Sequence, residues 1–330
     1  MEYGFRLFKN GEWNKKERRK VEQKLLEHMK KTVPEKYHEI LTPDYGVGCK
    51  RRIFDAHWFP ALQDPRLELT TQPLTAVHKN SVTLGPGRIY PKNSEKEEPE
   101  RTIPADIIVV ANGFDITKWL HPLTVIGRDG QDLVEEMERR GGPQAYQGTA
   151  MDGFPNFFIV FGPSTATGHS SVILASENMV NYALKFIKLI LNGDAETVEV
   201  KKEAEEDYTR DIQRNLKDTI WSSGGCNSWC FDNQTGWNST MYPYTQVWFT
   251  LRCMFPKWSD WNITYTRKGL MKLYLQRILR LVGFTLLLIG AVRMRQRGIG
   301  LADMQASFKW LIAFAVDRSI DLLSTLKQVL

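Results

Sequence analysis

The sequence predicts an α/β fold with a small antiparallel meander and a helical C-terminal tail, and three observations predict it. Two apolar runs, Asp106–Phe114 (DIIVVANGF) and Phe157–Pro163 (FFIVFGP), show no polar alternation. Runs of that texture suit strands covered on both faces, as in a parallel sheet. Three short β-like runs, Leu67–Thr70, Leu74–Val77 and Ser81–Leu84, are separated by turn residues and read as a meander. From about Tyr265 the chain becomes basic and apolar with helical texture. The composition agrees with a globular protein: 330 residues, 42% hydrophobic and 25% charged. It excludes wholesale disorder, collagen and a small disulfide scaffold, and the length suits one large domain or two smaller ones.

The elements follow in order. Residues 15–20 (KKERRK) open a basic helix whose apolar stripe is Val21, Leu25 and Met29, and Pro34 ends it. Its expected role is a surface helix docked on a domain rather than a basic partner-binding arm. Pro86–Arg101, with a charge cluster at Glu95–Glu98, reads as an exposed loop. The second apolar run passes through the small and polar residues Ser164–Ser171 into a helix at Val172–Leu191, with Gly193 as its terminator. That helix is apolar over most of its circumference, so burial is expected, and Glu177, its single acid, then needs a partner. Residues 199–220 form an amphipathic, charged helix, and the stretch from Gly224 to Phe249 is dense in aromatics, Gly and Asn, as an irregular lid would be. In the tail, Leu281–Val292 carries no charge, with Arg277 and Arg280 before it and Arg293, Arg295 and Arg297 after it. Its twelve residues rise about 18 Å, short of a roughly 30 Å hydrocarbon core. Trp310–Val316 is a shorter apolar segment, and there are no internal repeats.

The charge of +6, with a pI near 9.0, is too mild to demand nucleic acid or an acidic membrane. The mean hydropathy of −0.36 excludes a polytopic membrane protein but leaves room for a local membrane-binding segment. Four cysteines, Cys49, Cys226, Cys230 and Cys253, are too few and too scattered for a disulfide framework. Arg6, Lys9 and Glu12 interrupt any signal-like run near Met1, so a reducing, cytoplasmic setting is expected. No G-x-G-x-x-G is complete: Gly46-Val-Gly48 continues into Cys49-Lys50-Arg51, and Gly298-Ile-Gly300 runs on to Asp303. The chain therefore has no phosphate-cradling turn of its own. Cysteine and histidine spacing gives no metal site, and no G-x-S-x-G exists for a hydrolase. His169 and Ser170 adjoin in sequence, which is not a triad geometry. The sequons at Asn233, Asn238 and Asn262 lack a secretory signal.

Four segments, taken in order, carry a family resemblance. Gly48-Cys49-Lys50-Arg51 resembles the G-C/T-K-R segment of flavin-dependent Baeyer–Villiger monooxygenases. Asp106–Phe114 resembles the D-x-x-x-x-A-T-G-F strand end shared with flavin-containing monooxygenases. Phe154-Pro-Asn-Phe-Phe through Gly162-Pro163, then Gly168-His169-Ser170 and Glu177, resembles the family's P-N…G-P…S…E segment. Cys226-Asn-Ser-Trp229 with Gly236 and Asn238 resembles the late C-x-S-W-Y…G-x-N segment. Each is weak alone; together, over residues 44–260, they are specific. The resemblance implies an incomplete FAD/NAD(P)-binding, Rossmann-like three-layer fold. Residues 1–44 would be a helical remnant of an NADP domain, 45–264 the C-terminal half of an FAD domain with its aromatic lid, and 265–330 the tail. Both dinucleotide fingerprints would lie before Met1, so the chain looks like a truncated or split member, inactive by itself.

The same resemblance assigns roles. Arg51 would lie over the flavin, where a fixed guanidinium stabilises negative charge developing on oxygen transfer. Lys50 would contact the 2′-phosphate of NADPH, a point-charge role. Asp106, Asn112, Gly113 and Phe114 would be FAD-binding, with Asn112 standing where the family has Thr. Gly162, Pro163, His169 and Ser170 would line the cofactor between a strand end and a helix N-terminus. Trp229 would close over the cofactor, with Cys230 in place of the family's Tyr, and Glu177 would be structural. From residue type alone, Arg51 reads as a surface arginine beside Lys50 and Arg52, and Trp229 reads equally as ordinary aromatic packing. The implied activity is an NADPH- and O2-dependent monooxygenase acting on a ketone, aldehyde or heteroatom, with no nucleic-acid partner. The alternative is a non-catalytic half-domain that binds a partner or a membrane. For residues 267–330 the expected behaviour is association with a membrane surface without spanning, set against a helix packed on the domain. A span would draw Arg280 or Arg293 into hydrocarbon at about 2.5–3.5 kcal/mol each.

Overall fold

The computed structural model describes residues 2–51, 53, 56–88, 97–113, 120, 122–223, 230 and 235–296. The chain divides into two compact units, residues 1–192 with 196–264, and residues 193–195 with 265–330.

The first unit opens with a 3-10 turn, Glu2–Phe8, and helix α1, Glu12–Thr32. The buried Arg18 joins them, its guanidinium donating to the carbonyls of Leu7 (2.9 Å) and Lys9 (2.6 Å). Of the predicted stripe only Met29 is buried; it packs with Val33, Tyr37 and Leu62, and Leu26 rather than Leu25 lies against that cluster. A short helix α2, Trp58–Ala61, follows.

The meander forms, with one strand exchanged. Strands β1 (Leu74–Val77) and β2 (Ser81–Leu84) pair antiparallel, with Val77 opposite Val82. After a two-residue ladder of β3 (Gly87–Arg88) with β4 (Glu97–Glu98), strand β5 (Arg101–Pro104) pairs with β2, Leu84 opposite Arg101. The predicted strand Leu67–Thr70 is absent, and the predicted loop at 86–101 instead carries this ladder. Gln72 explains the third strand. Its buried amide donates to the carbonyls of Gly85 (3.0 Å) and Pro99 (2.9 Å) and accepts from Arg101 Nε (2.7 Å), clamping both ends of the hairpin loop.

The two apolar runs do not form the expected strands. Asp106–Gly113 forms no strand, and its β-branched residues are exposed, Val109 at 82%. A strand needs hydrogen-bonding neighbours as well as propensity, and among the described residues none runs beside it. Phe157–Pro163 is preceded by a left-handed Asn156 (φ 62°) and broken by a left-handed Phe161 (φ 57°), and Ile159 N–H bonds to the Thr149 carbonyl at 2.8 Å. Ile159 closes a core of Leu133, Met137, Met151 and Phe154. The paired strands are antiparallel where their register is described, and the one parallel element among the described residues is a bridge, Ala166 to Met241.

Helix α3 (Leu133–Arg139) is capped by Asp132, whose carboxylate accepts from Val134 N at 2.8 Å. Helix α4 (Val172–Leu191) is capped by Ser171, and Gly193 follows its end at φ 68°. Burial of α4 is one-sided: Ala175, Met179, Tyr182, Ala183 and Phe186 are buried, while Ile173 and Leu191 are exposed. Glu177 lies on the exposed side, so the expected buried carboxylate does not exist. Strand β6 (Ala195–Val200), helix α5 (Lys202–Leu216), helix α6 (Ile220–Ser223), helix α7 (Gln246–Met254) and strand β7 (Trp261–Tyr265) complete the unit, with β6 and β7 paired. Trp261 stacks on Phe186 at 3.9 Å between ring centroids.

An ion network ties α3 to α5. Arg140 bonds Glu136 (2.7 Å), Asp152 (3.2 Å) and Glu205 (3.3 Å), and Glu205 also accepts from Asp152 N at 2.6 Å. Burial pushes the Glu205 carboxyl up to about 7, against the pull of that amide and Arg140. Glu136, hydrogen-bonded by Arg139 and Arg140, is held down at about 2.

Cys49 is disulfide-bonded, contrary to the expectation of reduced cysteines, while Cys253 is a buried free thiol pushed up to about 12 by burial. The second unit is helix α8, Arg267–Gln296, whose start is fixed by Thr266 donating to the Gly193 carbonyl at 2.7 Å and by a Lys272–Asp194 ion pair. Of the tail, residues 297–330, including Trp310–Val316, lie outside the described residues.

Candidate functional site

Two of the four family-like segments meet at a pair of aromatic rings, and a third is hydrogen-bonded to one of those segments. Phe8 stacks on Trp221 with centroids 4.7 Å apart. Arg18 holds the turn that carries Phe8, and a bridge from Lys9 to Thr219 brings it beside α6. The first segment enters through Gly48, whose carbonyl accepts from the Trp221 indole N–H at 3.1 Å. Gly48 has φ 103°, and a Cβ there would lie 3.1 Å from the Phe8 ring.

The third segment enters through Gly168 and His169. Gly168 has φ 72°, and a Cβ would stand 2.9 Å from Trp221 and 3.0 Å from Met241. The half-buried His169 ring lies 5.3 Å from Phe5 and 5.9 Å from Phe8. Its Nδ1 donates to the Thr167 carbonyl at 2.6 Å, since a carbonyl only accepts. Gly162 and Pro163 are buried behind this turn. A Cβ on Gly162 would fall 2.2 Å from the Gly148 carbonyl oxygen, so this glycine permits two backbones to touch.

The fourth segment contributes Asn238. Fully buried, its Oδ1 accepts from Thr240 N (3.1 Å) and Met241 N (2.8 Å). The strand-like piece it shapes bonds the third segment at Ser164 N to Ser239 O (2.9 Å), Ala166 N to Thr240 O (3.0 Å) and Tyr242 N to Ala166 O (2.7 Å).

Lys50 and Arg51 leave this hub into solvent, and the Lys50 ammonium sits 4.7 Å from the Tyr45 ring. Ser170 is half-buried at the foot of α4. The second segment stays with the meander: Asp106, Asn112 and Gly113 are exposed, and Ile107–Val109 line a cleft of about 650 Å³ with Leu74, Val82 and Leu84. Phe114 and Trp229 lie outside the described residues.

Sequence reasoning missed the aromatic residues that organise the hub, Phe5, Phe8 and Trp221. It also missed Arg252, whose guanidinium lies 5.3–5.7 Å from the rings of Tyr208, Tyr244 and Trp248. Tyr244 donates to Asp211 at 2.6 Å. Phe5, Lys9, Asp211, Tyr244, Trp248 and Arg252 line a cleft of about 500 Å³, in which burial lowers the Lys9 pKa against the raising effect of Asp218. The aromatic density of Tyr242–Phe249 was the available signal for half of this cleft; nothing local marked Phe5 or Phe8.

No family model matches the chain. It is 34% identical over 225 residues, 68% of its length, to a Baeyer–Villiger monooxygenase of Pseudomonas aeruginosa, of which it covers 40%. This chain is homologous to the Baeyer–Villiger monooxygenases. A Streptomyces coelicolor enzyme of the same name is 34% identical over 210 residues, 63% of this chain and 37% of the relative. An FAD-binding monooxygenase of Aspergillus niger is 28% identical over 248 residues, 73% of this chain and 38% of the relative. The homology thus spans well under half the length of these curated relatives.

Solved structures share the fold. An oxidised steroid monooxygenase bound to NADP superimposes with a TM-score of 0.63 at 21% identity, over 79% of this chain and 47% of the other. A closed cyclohexanone monooxygenase gives 0.62 at 18%, over 79% and 46%.

Proposed function

We propose that this chain supplies the arginine and lid side of a Baeyer–Villiger-type flavoprotein monooxygenase that uses FAD, NADPH and O2. The observation that carries the reading is that Gly48, two residues before the exposed Lys50 and Arg51, and Gly168–His169 meet at Phe8 and Trp221, with Asn238–Tyr242 hydrogen-bonded along Ser164–Ala166, in a chain homologous to enzymes of that name. Packed segments that lie far apart in sequence are what a site built across one face requires.

The residues suit the flavin side of such a cofactor. Gly113 adopts φ 90° with open space where a Cβ would stand, so nothing of its own blocks a close approach. The first turn of α4 holds no acidic residue, leaving its amide dipoles uncompensated for an electron-rich edge. The pyrophosphate side has no counterpart in residues 1–330, because no G-x-G-x-x-G is present.

FAD, when bound, supplies oxygen activation, with electrons from NADPH. Arg51 then holds a positive charge where negative charge grows on the transferred oxygen and the attacked carbonyl. Lys50 pairs with the 2′-phosphate of NADPH and selects it over NADH. His169, fixed by Thr167 and two phenyl rings, keeps the turn before α4 in shape, and Gly162 and Pro163 hold its floor. Asp106 and Asn112 contribute from the exposed segment after the meander. The substrate class is a small ketone, aldehyde or heteroatom compound.

The test is a chimera that joins the N-terminal portion of the Pseudomonas aeruginosa relative to this chain. It should retain yellow FAD through gel filtration and oxygenate a ketone at the expense of NADPH. A folded, FAD-loaded chimera that oxidises NADPH but oxygenates none of a panel of ketones, aldehydes and sulfides contradicts the reading.

A further inference from the structure

We propose that helix α8 (Arg267–Gln296) crosses an anionic lipid bilayer. The first argument is the distribution of its apolar side chains. Successive helical residues are about 100° apart, so four in a row sample the whole circumference. Leu286, Leu287, Leu288 and Ile289 are 64%, 61%, 51% and 45% exposed, so among the described residues no direction is covered. A helix lying in the interface needs a polar face, and Leu281–Val292 has none. Its single hydroxyl, Thr285, is satisfied internally by the Leu281 carbonyl at 2.9 Å. A helix apolar all round belongs in a core or in hydrocarbon.

The second argument is charge. From Arg267 to Gln296 there is no acidic residue. Lys272 is already paired with Asp194; Arg277 and Arg280 lie nearest the uncharged stretch on one side, and Arg293 and Arg295 follow it. A protein groove would have to supply acids at both ends of an apolar channel; an anionic bilayer supplies that arrangement of itself.

The third argument is length. Arg267–Gly290 is a 24-residue segment apolar enough to cross a membrane, and at 1.5 Å per residue it rises about 36 Å against about 30 Å of hydrocarbon. Arg277 and Arg280 lie on one face within that segment, at about 2.5–3.5 kcal/mol each in hydrocarbon on insertion scales, a cost that already contains snorkelling and local bilayer thinning. The surface-lying mode expected from Leu281–Val292 by length alone thus gives way to immersion.

The test places single cysteines at positions 286–289 of the full chain (Leu286→Cys, Leu287→Cys, Leu288→Cys, Ile289→Cys). Each carries an environment-sensitive fluorophore, read against the labelled parent chain. Vesicles of phosphatidylcholine with phosphatidylserine should blue-shift all four labels, and lipid-chain quenchers should quench all four. Blue shifts confined to one or two neighbouring directions would mean a surface helix and overturn the proposal. No response at any position, as when residues 297–330 cover the helix, overturns it as well. Flotation of the unlabelled chain gives a second reading free of variant folding: vesicle association should survive an alkaline carbonate wash, and stripping by the wash defeats the proposal.

Discussion

At the scale of single residues, the two cations to which the proposed function assigns the chemistry were legible, whereas the residues packed behind them were not. Lys50 and Arg51 stand out by type and by the motif they sit in, and both are exposed in the structure. Phe8 and Trp221, which bring Gly48 and Gly168 together, are 213 positions apart and have no local signature. Long-range ring stacking is invisible to periodicity, which reads one element at a time. Glu177 failed for a related reason: an apolar helix surface was read as buried, but α4 has only one partner face. A prediction belongs here. In the chimera, Lys50→Ala should raise KM for NADPH about tenfold and leave KM for NADH nearly unchanged, as expected for one lost charge-assisted contact of 1.5 kcal/mol or so. Steady-state kinetics with both nucleotides checks it, and an equal effect on the two would remove the 2′-phosphate role.

At the scale of elements, the hairpin β1–β2 was legible because alternation and turn residues agree over a few positions. The strands at Asp106–Gly113 and Phe157–Pro163 were not, because β propensity states a preference and the ladder needs neighbours. The junction of α3 with α5 carries two predictions. Arg140→Met leaves Glu205, 1% exposed, without its cation. Breaking a buried pair costs about 3–5 kcal/mol, and the loss should be larger at pH 8 than at pH 5, where the carboxyl takes up a proton instead. Urea titration at both pH values measures it. The second concerns pH itself. The folded Glu205 carboxyl titrates near 7, above its ordinary 4.5. Between those values the folded state binds more protons than the unfolded state, so this group's contribution to stability falls as pH rises and levels off above about 7. Glu205→Gln should remove that decline. Glu136 acts in the opposite sense, being held near 2: its contribution is complete above 4.5 and is lost as pH falls towards 2. A Glu205→Gln variant whose stability still declines across the same window would place the titration elsewhere.

At the scale of the whole molecule, the family was legible from four short segments, and the mixed helix-and-sheet fold agrees with solved monooxygenases over 79% of the chain. The parallel-sheet layer was not realised, since the runs read as its strands have no partners among the described residues. The 330-residue chain, lacking a phosphate-cradling turn, should purify colourless; a stoichiometric flavin spectrum surviving gel filtration would show that the pyrophosphate is held in some other way. On the proposed function, Arg51 stabilises the charge that develops as oxygen is transferred. The most direct test of that role is oxygen incorporation from isotopically labelled O2 into a ketone by the chimera, with Arg51 and with Arg51→Ala. The account predicts one labelled atom in the ester, a hundred- to thousand-fold loss of that product in the variant (about 3–4 kcal/mol), and flavin reduction by NADPH that stays near the parent rate. An FAD-loaded Arg51→Ala chimera that forms labelled ester at the parent rate would contradict it.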